Sequence, residues 1–198
     1  MDNQLKKYLY IDEESLLNDS FRLAVNIYES GFKPDFIVAI WRGGATVGIY
    51  VQECLQALGL QTDHIAIRTS YQGMENYQAT MSNPQTIRVH GLQYLYENLN
   101  YEHSLLIVDD VFSSGYNIEA VINRLETKSK RNMPKDYRIA TPFYKPSFNK
   151  TKRKPDYFLH EINDWLVLPY ELTGLSKDEL EKYKSWTLPI LDKISPLR

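Results

Sequence analysis

Apolar positions along the chain fall into two alternating rhythms. Phe36 to Ile40, Leu105 to Val108 and Ile139 to Tyr144 are short continuous apolar runs, the pattern of strands covered on both faces. His64 to Arg68 alternates weakly and reads as another strand, and Ile87 to Val89 as a short one. Between them, apolar residues return at helical spacing. Leu17, Phe21, Ala24, Val25 and Tyr28 mark a first helix with Gly31 at its stop and Pro34 beyond. Val47, Val51, Cys54, Leu55 and Leu58 mark a second, ended by Gly59. Leu92, Leu95, Tyr96 and Leu99 mark a third, and Ile118, Val121, Ile122 and Leu125 a fourth. Tyr157 to Leu159 and Trp165 to Leu168 are short apolar segments around an acidic turn. Ser176 to Tyr183 has a capping box, Ser176 with Glu179, and a hydrophobic staple of Leu175 and Leu180. Strands alternating with helices predict an α/β fold with a mostly parallel central sheet flanked by helices.

The intervening stretches read as loops. Ser70 to about Pro84 is polar and long enough for a lid. Lys128 to Lys135 is a basic linker, and Pro146 to Pro155 a loop rich in Lys, Arg and Asn. Composition adds bounds. A chain of 198 residues with 43% hydrophobic content supports a globular domain with a real core. A net charge of −2 argues against broad nucleic-acid binding, and the cationic run Lys150, Lys152, Arg153, Lys154 reads as solvated loop. The single cysteine, Cys54, excludes an intramolecular disulfide and is expected in the core. With no long apolar run and no signal-like N-terminal segment, the expectation is a cytoplasmic protein without a membrane span.

The chemistry concentrates after the third apolar run. Asp109 and Asp110 follow it, then Val111-Phe112, then Ser113-Ser114-Gly115-Tyr116-Asn117, then the fourth helix. Ligands of open α/β sheets bind beyond the carboxyl ends of strands, and small residues at a helix N-terminus let backbone N–H groups approach an anion. The pattern predicts a phosphate cradle beside two acids that could hold sugar hydroxyls. On spacing alone, acids that merely cap the next helix explain it equally well. Arg42-Gly43-Gly44 likewise sits between a strand and a helix, where Arg offers a planar fork for phosphate oxygens and glycines allow close approach. An ordinary strand–helix turn would look the same.

Together these stretches resemble type I phosphoribosyltransferases, most closely the purine (hypoxanthine and xanthine-guanine) branch. The run through Asp109, Asp110, Ser114 and Gly115 resembles the loop that binds 5-phosphoribosyl pyrophosphate (PRPP). Arg42-Gly43-Gly44 resembles the pyrophosphate loop, where that family often has a cis peptide. Ser70-Tyr71 stands where a Ser-Tyr pair begins the mobile loop of hypoxanthine-guanine enzymes. Lys145 and, some twenty residues on, Trp165-Leu166-Val167 resemble the purine pocket.

The resemblance implies a single domain over 1–198, with a core of about 36–145, a small purine-binding hood of about 146–172 and a helical extension over 173–198. It implies transfer of the phosphoribosyl group from PRPP to a 6-oxopurine, giving a nucleoside monophosphate and pyrophosphate. Asp109 and Asp110 would bind the ribose hydroxyls directly or through Mg²⁺, with Glu171 near a second Mg²⁺. Ser113, Ser114, Gly115, Tyr116 and Asn117 would hold the 5′-phosphate. Lys145 would meet the oxygen at purine C6, Trp165 would stack on the ring, and the backbone of Leu166 and Val167 would meet its edge. The chain departs from the family at Ser113, where most purine members have an Asp that accepts the N7 proton, and at Glu171, commonly Asp. Catalysis and non-catalytic binding of PRPP or nucleotide by the same fold therefore both stay open. A homodimer is the default oligomer the resemblance implies.

Overall fold

The computed structural model describes residues 8–69, 87–191 and 193. In chain order the elements are β1 (Tyr8–Tyr10), α1 (Glu13–Glu29), β2 (Phe36–Trp41), α2 (Gly43–Ala57), β3 (Asp63–Thr69), β4 (Val89–His90), α3 (Gln93–Asn98) and β5 (Ser104–Val108). There follow β6 (Val111–Phe112), α4 (Tyr116–Ser129), β7 (Asp136–Tyr144), β8 (Tyr157–Glu161), β9 (Trp165–Val167), α5 (Lys177–Tyr183) and α6 (Leu188–Leu191). The chain forms two compact units, one spanning Glu14–Asn163 and the other joining residues 1–13 to 164–198.

The larger unit is the α/β fold its patterning predicts. Its strands run in the order β4-β3-β2-β5-β7-β6, with β8 also paired to β7. All pairs are parallel except β3 with β4. The apolar runs of β2 and β5 are central, in register at Val38 and Ile107. Strand period two then sorts their side chains. Phe36, Val38, Ile40, Leu105 and Ile107 enter one core with Leu92, Leu95 and Leu99 around α3, and with Ile118, Val121, Ile122 and Leu125 of α4. On the opposite face Ala39 meets α2 at Gly48, where an added Cβ would lie 2.8 Å from that of Ala39. Close helix–sheet approach is what that glycine permits.

The structure corrects several expectations. α1 buries Leu16, Ser20, Leu23, Ala24 and Ile27 rather than the stripe of Leu17, Phe21, Val25 and Tyr28, of which the last three are exposed. The two stripes overlap at Ala24, and the buried one carries Asp19 and Ser20, so polarity disguised it. Asp19 is satisfied by His160 at 2.8 Å and Ser20 by the Leu16 carbonyl at 2.7 Å. Cys54 is half-buried rather than core, because the inner face of α2 passes through Val47, Val51 and Leu55. The basic linker begins as the last turn of α4 and continues as a 3-10 turn over Lys130–Asn132. Residues 146–163 group with the larger unit, since β8 pairs with β7. No helix among the described residues is long and apolar enough to cross a membrane.

The smaller unit is held by a parallel pair that the sequence did not reveal, β1 on β9, with Tyr8 opposite Trp165 and Tyr10 opposite Val167. α5 opens with the expected capping box: Ser176 accepts from the Glu179 N–H at 3.3 Å, and Glu179 accepts from the Ser176 N–H at 2.8 Å. Tyr10 joins the two elements. Its ring stacks on Tyr183, centroids 3.7 Å apart, and its hydroxyl donates to Glu179 at 2.6 Å. That bond, with those from Ser176, pulls the Glu179 carboxyl down from its ordinary 4.5 to about 2.

Candidate functional site

The two carboxylates sit where β5 ends. Asp109 is 8% exposed, and its N–H donates to the Ala140 carbonyl of neighbouring β7 at 3.1 Å. The N–H of Asp110 donates to Asp109 Oδ1 at 3.0 Å, and that of Val111 to Asp110 Oδ1 at 2.7 Å. Burial, and secondarily the neighbouring Asp110 charge, hold the Asp109 carboxyl well above its usual range. An acid pair of this kind, with Asp109 buried and Asp110 half-buried, gains from an arriving cation, whether a metal ion or positive charge developing on a sugar.

The Arg42 loop meets this pair directly. The Trp41–Arg42 peptide is cis, as the family resemblance implied. Gly43 and Gly44 then open α2 and are buried, and no side chain caps that helix. A Cβ on Gly44 would fall 2.7 Å from the Val108 carbonyl oxygen and 2.9 Å from Asp109 Oδ1. Two loops far apart in sequence are thus in backbone contact, and they bring an uncapped helix N-terminus beside the acids. Such a terminus offers N–H groups and partial positive charge to an anion. Arg42 is exposed at its rim.

After the acids comes β6, a two-residue strand unanticipated in the sequence, which pairs with the end of β7 and anchors Phe112 in the core. Phe112 packs edge-on against Tyr144, centroids 5.6 Å apart, and its carbonyl accepts from Lys145 N at 2.9 Å. The Ser113-to-Asn117 loop is therefore fixed at its base. Gly115 takes φ +80 and opens α4 without a side-chain cap. An added Cβ there would meet Thr151 Oγ1 at 2.5 Å and the Phe112 ring at 2.9 Å. Ser114 accepts from the Lys150 N–H through its carbonyl at 3.0 Å, and its hydroxyl lies 3.4 Å from the Tyr116 N–H. Lys150 and Thr151 thus brace the loop, a role their basic, polar segment did not signal. Asn117 Oδ1 is buried and has no hydrogen-bond partner. With the amide turned over, the same position holds an N–H donor suited to an anion.

Lys145, at the end of β7, is 5% exposed, and its ammonium lies 4.6 Å over the Phe148 ring. Trp165, Leu166 and Val167 form β9 of the smaller unit, where Leu166 and Val167 are buried and Trp165 is half-buried. Glu171, in the same unit, accepts from the Leu168 N–H at 3.0 Å. Ser70 and Tyr71 lie outside the described residues. No group of three or more His, Cys, Asp or Glu among the described residues forms a metal cage. Asp109 and Asp110 offer hard oxygen donors, which suits an Mg²⁺ ion that keeps waters and substrate oxygens in its shell.

Solved structures share this architecture. A purine phosphoribosyltransferase from Pyrococcus horikoshii matches with TM-score 0.62 and 22% identity, over 86% of this chain and 98% of that one. A xanthine-guanine-hypoxanthine phosphoribosyltransferase from Helicobacter pylori matches with TM-score 0.63 and 20% identity, over 90% and 99%. A Neisseria gonorrhoeae protein with bound ppGpp matches with TM-score 0.66 and 18% identity, over 93% and 99%. No curated protein sequence matches significantly. A family model described as a phosphoribosyl transferase domain matches residues 11–173, and the chain belongs to that family.

Proposed function

We propose that the protein transfers the 5-phosphoribosyl group from PRPP to a 6-oxopurine, releasing pyrophosphate and a nucleoside monophosphate, as in purine salvage. The observation that carries this reading is the contact of Gly44 with Asp109, which unites a helix N-terminus without a side-chain cap and the acid pair. The Arg42, Gly43 and Gly44 loop would hold pyrophosphate, joined by Ser70 and Tyr71. Ser113, Ser114, Gly115, Tyr116 and Asn117 would hold the 5′-phosphate. Lys145, Trp165, Leu166 and Val167 would contact the base.

In the reaction the bond from C1′ to the pyrophosphate oxygen breaks as purine N9 bonds to C1′, through an oxocarbenium-like state. The electron pair of the broken bond leaves with pyrophosphate. Asp109 and Asp110 would orient the ribose hydroxyls and favour the positive sugar electrostatically. When bound, Mg²⁺ neutralises pyrophosphate charge, with Asp109 and Asp110 as its protein ligands and Glu171 as the candidate at a second ion. Ser113 would bind but has little basicity toward the N7 proton, and the missing base costs about 10²–10⁴ in rate. Water, or xanthine arriving as an anion, meets that need.

The same serine favours a second reading, a binder of PRPP or nucleotide without useful catalysis; the Neisseria gonorrhoeae structure with bound ppGpp bears on nucleotide binding alone. Pyrophosphate release from PRPP and Mg²⁺ with hypoxanthine, guanine, xanthine and adenine, beside Ser113→Asp, separates the two. Turnover by the native protein with a 6-oxopurine supports the enzyme and names its base. Activity in the variant alone supports the binder. Silence from both, with no binding of PRPP or nucleotide, sinks both readings.

A further inference from the structure

Lys184 is an unusual residue to find inside a small unit. It is 4% exposed, immediately after α5. Burying an ammonium costs several kcal/mol unless its charge and protons are met. Here Nζ donates to the Leu168 carbonyl at 2.8 Å and to the Pro169 carbonyl at 2.7 Å. Burial still lowers the Lys184 pKa, with Glu171 and Glu13 opposing the shift through their charge.

The two carbonyls belong to the turn that leaves β9. Leu168 is 2% exposed, so its carbonyl depends on protein donors. Its N–H donates to the Glu171 carboxylate and its carbonyl accepts from the Glu171 N–H, both at 3.0 Å. Pro169 has no N–H to anchor its own peptide. Its carbonyl is held by the Lys184 ammonium. Lys184 is itself pinned: its N–H donates to the Leu180 carbonyl at 2.8 Å, and its own carbonyl accepts from Thr187 Oγ1 at 2.7 Å. Tyr10, stacked on Tyr183, ties the same helix end to β1, the strand paired with β9. An apolar residue could fill the space at lower desolvation cost. What it could not do is fix two successive peptide planes.

We infer that Lys184 is a positioning residue for base recognition: by holding the Leu168 and Pro169 carbonyls it fixes the turn behind Leu166 and Val167, the backbone the base would meet. This rests on the purine-transferase reading for its functional consequence, but not for its structural one. It gives the helical extension after residue 172 a role that the family resemblance did not supply.

Lys184→Met keeps the stem and removes the donors. Lys184→Arg keeps a charged donor, and Lys184→Gln, with a shorter neutral amide, serves should the Met variant fail to fold. Misplacement away from the reacting atoms can cost up to about a hundredfold. For the Met variant, or Gln in its place, we expect KM for the base to rise about tenfold or more while KM for PRPP stays within about twofold. Hydrogen exchange should quicken selectively at the Leu166–Glu171 amides, and the Arg variant should recover both properties. Equal changes in the two KM values, or a lowered melting temperature with both unchanged, would overturn the inference. So would unchanged exchange in that segment. If the native protein shows no turnover, the transferase reading fails on its own, and the exchange measurement still decides the role of Lys184.

Discussion

Gly44 and Asp109 are in van der Waals contact across two loops, so that a single methyl group on the glycine would strike both the backbone and the carboxylate of the acid pair. Two of the three nearest atoms are backbone, at Val108 and Asp109, and cannot swing aside. Gly44→Ala is expected to lose about 1–3 kcal/mol of stability, the usual cost of overpacking. It should weaken PRPP binding more than Gly48→Ala, whose clash is with the Ala39 side chain on the opposite sheet face. Thermal denaturation with calorimetric titration of PRPP measures both effects. Unaltered PRPP affinity in Gly44→Ala would separate the loop from the pyrophosphate.

Asp109 illustrates a site held at the expense of the fold. Because its folded pKa lies above the ordinary 3.8, the unfolded carboxyl ionises first as pH rises, and stability falls across the interval up to the folded value. The penalty sets in above the ordinary value and grows until the folded carboxyl ionises. Asp109→Asn removes the charge and can keep the bond accepted from the Asp110 N–H. It is expected to gain about 1 kcal/mol or more, roughly 2–4 °C in melting temperature per kcal/mol at this size, while turnover drops at least about a hundredfold. Parallel melting curves and pyrophosphate-release assays test this, and a less stable variant would refute the electrostatic account.

Gly115 carries two constraints at once, a left-handed φ of +80 and contact with Thr151 and Phe112. Gly115→Ala pays roughly 1–2 kcal/mol for the conformation alone, besides the clash. A companion Thr151→Ala relieves Oγ1 crowding but leaves the φ penalty. The double variant is expected to recover part of the melting temperature lost by Gly115→Ala, and no recovery would exclude Thr151 as the obstruction.

The Tyr10–Glu179 bond makes the smaller unit acid-sensitive. The Glu179 carboxyl is lowered from 4.5 to about 2, so its stabilisation is present above the ordinary value and is lost as pH falls through that window. Near-ultraviolet circular dichroism should report unstacking of Tyr10 from Tyr183 over this range. Glu179→Gln should flatten the response, and an unchanged titration would assign it to other groups.

Legibility followed the strength of local patterning. β2, β5 and β7 were readable because strands covered on both faces must be apolar throughout. α4 was readable because nothing polar interrupts its buried face. α1 misled because Asp19 and Ser20 lie on the buried face, and their partners His160 and Leu16 are tertiary and backbone features that a helical pattern does not encode. β1 was invisible: three residues of Tyr-Leu-Tyr become a strand only through β9. The acid pair and both glycine loops were placed by motif, but the contact that unites Gly44 with Asp109 depends on the parallel register of β2 and β5. Lys184 carried no motif, since the carbonyls it holds belong to a turn sixteen positions earlier.

The pairing of β1 with β9 also sets an order of events during synthesis. Tyr10 bonds to a partner 169 positions away, so the smaller unit cannot close until Glu179 has emerged from the ribosome. At about 5–20 residues per second, the nascent β1 waits many seconds with its strand edge unpaired. Over that interval the strands and helices of the larger unit emerge and can pair with one another, while the early segment stays open to wrong partners. Premature termination between β8 and β9 would leave a fragment with a complete α/β sheet and a solitary β1, a substrate for chaperones or proteases.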